Sequence, residues 1–217
     1  MDGLDPLNPF INGINYFGDV VFSISGALTA GKYKMDLIGF ILIGTITGIG
    51  GGTLRDIILG RQVFWTTDPT ELILCVVVSF ITFFFITAEI LRRRGMVWGD
   101  TLGLAAFCVA GCHIALQMGV SWPVAMFMGM LTATGGGVIR DVITNTKPMI
   151  LGGQLYATAA LAGAGIYILL LHTSLPDGAA ELIAFGSALA IRIAAIRFDI
   201  RMGPPGSFLT IGKNRDS

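Results

Sequence analysis

Seven charge-poor stretches, 10–31, 36–52, 70–91, 100–118, 122–139, 149–172 and 178–198, dominate this 217-residue chain. Each approaches the ~20 apolar residues that a helix needs to cross ~30 Å of hydrocarbon. Together they leave only short connections, so the sequence predicts one all-α membrane domain over 1–217 and no separate soluble domain. Composition agrees: 53% of residues are hydrophobic and 13% charged, whereas a soluble domain carries about 25% charged residues. The seventh stretch is the most interrupted, by Glu181 and Arg192.

Charge placement orients the chain. Formal net charge is zero, which gives no basic excess for a nucleic-acid partner. The distribution is nevertheless uneven. With the N-terminus outside, Lys32, Lys34, Arg92, Arg93, Arg94, Arg140, Lys147, Arg197, Arg201, Lys213 and Arg215 fall on the cytoplasmic side, against Arg55 and Arg61 outside. Basic loops stay inside, so N-out and C-in is expected. The first stretch follows Asp2 and Asp5 and lacks a basic cluster; it reads as a retained helix instead of a cleaved signal.

The chain also matches itself at a shift of 85 residues. Gly18, Phe22, Gly26 and Ala30 fall on Gly103, Phe107, Gly111 and Ala115. Gly50-Gly51-Gly52-Thr53-Leu54-Arg55-Asp56 falls on Gly135-Gly136-Gly137-Val138-Ile139-Arg140-Asp141. Each half thus carries G-G-G-x-x-R-D near the end of its second helix. Three helices, an odd number, separate equivalent points, so the second copy enters the bilayer from the opposite side. The expected plan is two inverted three-helix repeats, 10–91 and 100–172, plus a seventh helix at 178–198. Transporters built this way place the substrate path at the repeat interface.

The glycines admit two readings. Three in a row cost a helix about 1 kcal/mol each relative to alanine. Gly50, Gly51, Gly52, Gly135, Gly136 and Gly137 therefore mark either a break whose freed carbonyls line a pore or a place where helices approach closely. Neighbours on a helix do not face each other, so Arg55 with Asp141, Arg140 with Asp56, or an arginine with Asp19 are the expected pairs. The alternative is that the arginines snorkel at helix ends. Asp19 lies within the first span, where a charge is costly and usually functional, unless it reaches the outer headgroups. Ser23, Ser25, Thr45, Thr47, Thr132 and Thr134 either line a wetted path or bond their own helices.

Other chemistry finds little support. The glycine cluster lacks the lysine and Ser/Thr of a P-loop, and Thr53 breaks G-x-G-x-x-G. Neither His113 nor His172 sits in a nucleophilic triad pattern, so no enzyme is expected. Cys108, Cys112 and His113 share no spacing with zinc or haem sites, and no metal or other cofactor is expected.

The double G-G-G-x-x-R-D motif, the Phe22-Ser23-Ile24-Ser25-Gly26-Ala27 segment and the seven-helix plan resemble prokaryotic trimeric intracellular cation (TRIC) channels, a family also described by a glycine-transporter domain. The resemblance spans roughly residues 10–200. It implies a homotrimer in lipid of the prokaryotic inner membrane, with a pore through each protomer conducting potassium and other monovalent cations. It further implies that the second and fifth helices, kinked at the glycine triplets, line that pore, with Arg55, Asp56, Arg140 and Asp141 at matching positions. The lysine-centred gating and lipid-binding motifs of animal members are not evident. The same repeat would equally suit a secondary transporter of a small solute such as glycine.

Overall fold

A computed structural model describes residues 9–85, 89–152, 154–176, 178–201 and 210–211. Asp2, Asp5, Lys213 and Arg215 lie outside the described residues, as do the side chains of Arg92, Arg93 and Arg94. The chain is helical: α1 (Pro9–Lys32), α2 (Leu37–Ile58), the single-turn α3 (Phe64–Thr67), α4 (Thr70–Phe85), α5 (Glu89–Gln117), α6 (Trp122–Ile143), α7 (Ala157–Leu170) and α8 (Ala179–Arg197). Ile200–Arg201 pairs antiparallel with Thr210–Ile211 in a short ribbon.

Local chemistry sets the boundaries. Asp36 caps α2, its carboxylate accepting the Gly39 N–H at 2.8 Å, as short polar side chains do at helix starts. Pro123 occupies the first turn of α6, where its missing N–H costs nothing. The left-handed residues recur at the 85-residue shift: Lys34 and Gly119 end the turns after α1 and α5, Gly60 and Asn145 those after α2 and α6.

Several boundaries differ from expectation. The third expected span, 70–91, takes in α4 (Thr70–Phe85) and also the first residues of α5 (Glu89–Gln117), which starts well before residue 100. The sixth, 149–172, begins with a 3-10 turn at Met149–Leu151, and α7 starts only at Ala157. Gly152 contributes to that delay, because glycine is a poor helix former. At 14 residues α7 spans about 21 Å, less than a bilayer core. Among the described residues four helical segments are long and apolar enough to cross a membrane: Leu37–Ile58, Gly95–Gln117, Trp122–Ile143 and Ala179–Arg197.

The helices α1, α2, α5 and α6 form the centre, α1 packing on α5 and α2 on α6. Helix α4 covers α1 and α2, as α7 covers α5 and α6, and α8 lies on α5 and α7. Phe22 of α1 and Phe107 of α5, equivalent residues of the two halves, stack at 5.3 Å. A Cβ on Gly18 would strike Phe107, and one on Gly103 would strike Phe22. The two rings thus interlock through each other's glycines. Outward, Ile73, Val77, Phe80, Ile81 and Phe84 make an exposed apolar stripe on α4 at helical spacing.

Candidate functional site: two arginine clusters flanking a helix crossing

Both glycine triplets lie within unbroken helix, which corrects the reading of them as helix breaks. Packing is what they serve. A side chain on Gly51 would collide with the Thr132 carbonyl, and one on Gly136 with the Thr47 carbonyl. At Gly135 a Cβ would lie 3.2 Å from the Gly51 Cα. Helices α2 and α6 therefore cross backbone to backbone, each triplet receiving the other helix. The freed-carbonyl argument fails because each helix keeps its own hydrogen bonds.

Most hydroxyls near the crossing turn inward to their own helices. Thr47 donates to the Ile43 carbonyl at 2.6 Å, Thr132 to Met128 at 2.7 Å and Thr134 to Met130 at 2.9 Å. Thr45 is buried with no partner for its hydroxyl among the described residues. Ser23 sits beside Gly48 of α2. Ser25 has a different task, described below.

One helical turn beyond each triplet the arginines are buried. Arg55 binds Asp56 through Nε at 2.9 Å and Nη2 at 2.8 Å. Arg140 binds Asp141 through Nε and Nη2, both at 2.9 Å. The expected cross-repeat pairs are therefore replaced by pairs between chain neighbours. Their Cβ atoms diverge by about 100°, but the arginine stem is long enough for two guanidinium nitrogens to reach one oxygen, Oδ1, of the neighbouring carboxylate. In each pair the second carboxylate oxygen accepts a backbone N–H eight residues on, Phe64 at 3.0 Å and Met149 at 3.2 Å. The R-D step thus fastens the loop leaving the helix.

The clusters then diverge. Arg140 also bonds Asp100 of α5, at 2.6 Å and 3.0 Å, and Ser25 of α1 at 2.9 Å. Asp100 went unrecognised in the sequence; its one signal was a carboxylate heading a charge-poor stretch. Beside it Tyr156 is buried, with the Arg192 guanidinium 4.9 Å over its ring. Among the described residues Arg55 has no such second carboxylate bridge. Its neighbours are Asn15, Asp19 and Glu71, which line a small pocket with Phe64, Phe107 and Thr132. Asp19 is 1% exposed and within hydrogen-bonding reach of Glu71. Glu71, too, had gone unremarked in the sequence.

Elsewhere, His113 bonds Tyr167 at 2.5 Å and Gln117 at 2.9 Å. Cys108 and Cys112 donate to backbone carbonyls of Ala105 and Ala164. These groups form a packing network between α5 and α7.

With that geometry in place, the comparisons acquire residues. The family described as Glycine transporter matches residues 13–87 and again 97–172. The chain is 37% identical to the UPF0126 inner membrane protein YadS of Escherichia coli over 87% of this chain and 93% of YadS. It is 36% identical to a UPF0126 membrane protein of Vibrio cholerae, over 87% and 80%. Among solved structures it superposes on the TRIC trimeric intracellular cation channel orthologue from Rhodobacter sphaeroides with a TM-score of 0.83 and 39% identity, covering 87% of this chain and 98% of that one. A prokaryotic TRIC channel in 0.5 M KCl gives 0.81 and 30%, covering 87% and 96%. These relatives are membrane proteins and channels, not enzymes.

Proposed function

The chain belongs to the family described as Glycine transporter, which it enters with the UPF0126 membrane proteins, and from that premise we propose that it is a potassium-permeable monovalent-cation channel. In this reading each protomer of a homotrimer holds one pore between two inverted three-helix repeats, 10–91 and 100–172, with 178–198 as a seventh helix. The protein sits in a prokaryotic inner membrane, N-terminus outside and C-terminus cytoplasmic. Lipid and neighbouring protomers cover the apolar faces such as the α4 stripe.

The observation that carries this reading is the reciprocal α2–α6 crossing, with one buried arginine cluster at the end of each helix. It supplies a pseudo-symmetric axis with polar groups on both sides of an apolar waist. The likeness to cation channels at 39% identity over nearly their whole length supports the same choice over a glycine carrier. The glycine triplets set how closely the two pore helices approach. Arg140, held by two carboxylates and Ser25, acts as a fixed element. Arg55, bridged to one carboxylate, is the charge that responds to voltage, and moving one charge through 100 mV is worth about 2.3 kcal/mol.

Planar-bilayer recording of the purified protein under a potassium gradient tests the reading. Unitary currents reversing near the potassium potential are expected. Absence of currents, with saturable glycine uptake into proteoliposomes, would overturn it in favour of the transporter. A C-terminal fluorescent-protein fusion that stays dark in intact cells would overturn the orientation.

A further inference from the structure

The two arginine clusters occupy equivalent places in the two halves but hold different side chains. At the shift of 85 residues Asp100 corresponds to Asn15, Leu104 to Asp19 and Tyr156 to Glu71. Around Arg140 the carboxylates of Asp100 and Asp141 are both engaged by the guanidinium, and Arg192 stands over Tyr156. Two carboxylates face two arginines there. Around Arg55 the guanidinium is spent on Asp56, and Asp19 and Glu71 remain as two carboxyl groups beside one another. The first half therefore holds an acidic surplus that the second lacks.

That surplus lines a pocket. Asp19, Glu71 and Asn15 are among its lining residues, with Arg55 beside them. The Asp19 carboxyl is 99% removed from solvent, and its Oδ2 has no hydrogen-bond partner among the described residues. A buried carboxylate oxygen left without a partner carries a large desolvation cost. Two carboxyl groups at hydrogen-bonding distance share either a proton or a cation. Arg55 acts electrostatically on both carboxyl groups, while Asp56 and Asp68 add negative charge around Glu71.

We infer that Asp19, Glu71 and Asn15 form a binding site for a single monovalent metal cation of potassium or sodium size. Carboxylate and amide oxygens are hard donors suited to hard metal cations, and the monovalent charge is taken from the proposed channel. The pocket is small, on the order of a single water molecule in size. Its place beside Arg55, at the end of α2 away from Asp100, makes it a one-sided station of the proposed path, and this inference rests on the channel reading for its ion. Because the second half has Leu104 and Tyr156 at the matching positions, only one mouth would hold a cation in this way.

The test reads binding, not current. Purified protein in detergent is unfolded thermally in potassium chloride and in N-methyl-D-glucamine chloride of equal ionic strength, and crystals are soaked in thallium(I) acetate for anomalous diffraction. At about ten times the dissociation constant, potassium should raise the wild-type melting temperature by about 3–6 °C. Asp19→Asn and Glu71→Gln should each lose that shift, whereas Tyr156→Phe in the other half should keep it. Thallium density should lie against the Asp19 carboxylate. A potassium shift retained in both carboxylate variants, a response to calcium but not potassium, or thallium density absent from this pocket would overturn the site. Should a variant fail to fold, the wild-type anomalous map alone decides. Currents without the site would sink this inference and leave the channel standing; the site without currents would do the reverse.

Discussion

Ser25 of α1 sits between Asp100 of α5 and Arg140 of α6, its hydroxyl donating to Asp100 at 2.5 Å and accepting from the Arg140 Nη1 at 2.9 Å. One small residue thereby ties three central helices, and it joins the first half of the chain to the second. A buried ion pair is costly to break but of modest net worth when whole. The serine's contribution is the completion of that pair's hydrogen bonding.

Ser25→Ala should therefore cost about 1 kcal/mol, the net worth of a hydrogen bond, with the Asp100–Arg140 bridge retained. Asp100→Asn should cost more, about 3 kcal/mol, because it removes one of the two carboxylates compensating a buried guanidinium. Chemical unfolding in detergent separates the two; equal losses would show that the serine and aspartate act only as packing.

The crossing of α2 and α6 gives a graded series. Gly51→Ala and Gly136→Ala push a methyl into a backbone carbonyl that cannot move, and should abolish the folded protein or cost more than about 3 kcal/mol, as overpacking at a rigid contact does. Gly50→Ala meets the Ile139 side-chain end at 3.1 Å and should be milder. Gly13→Ala and Gly186→Ala meet nothing within 4 Å and should stabilise by up to about 1 kcal/mol. Size-exclusion profiles and melting curves read the order.

The interlocked Phe22–Phe107 pair predicts a rescue. Phe22→Ala should cost about 3–5 kcal/mol. Gly103→Ala, which collides with the Phe22 ring, should destabilise too, and combining it with Phe22→Leu should recover part of the loss. Additive losses in the double variant would show that the ring and the glycine are not coupled.

The two arginines should behave differently. Arg140→Gln leaves Asp100 and Asp141 buried without their cation and should reduce folded yield sharply, a loss of about 3–5 kcal/mol. Arg55→Gln uncovers Asp56, which still accepts the Phe64 N–H, and removes the positive charge acting on Asp19 and Glu71; with one direct bridge lost instead of two, the protein should fold at reduced stability. Its currents should lose voltage dependence by up to the equivalent of one charge. Unchanged voltage dependence would assign the gating charge elsewhere.

Much of the helical framework was legible in the chain. Apolar runs and turn residues are local properties, and α1, α2, α6 and α8 begin and end within a few residues of expectation, apart from the later end of α2 and α6. Left-handed turn residues recur at the shift of 85 residues, as at Gly60 and Asn145. The site was less legible. The rule that neighbours on a helix do not face each other describes Cβ directions, and it misjudged arginine, whose stem is long enough to return to the next residue.

By itself, then, the sequence determined that this is an apolar helical chain with a doubled G-G-G-x-x-R-D motif, because hydropathy and repeats are written along the chain. Which groups meet was decided only in three dimensions. Ser25, Asp100 and Arg140 are as much as 115 residues apart, and Asp19 lies far along the chain from Glu71. Their meetings depend on how closely α2 and α6 cross and on where α1 and α5 then come to rest. The glycines, readable as either break or contact, became contact because each helix keeps its own hydrogen bonds while its backbone fills the other's gap.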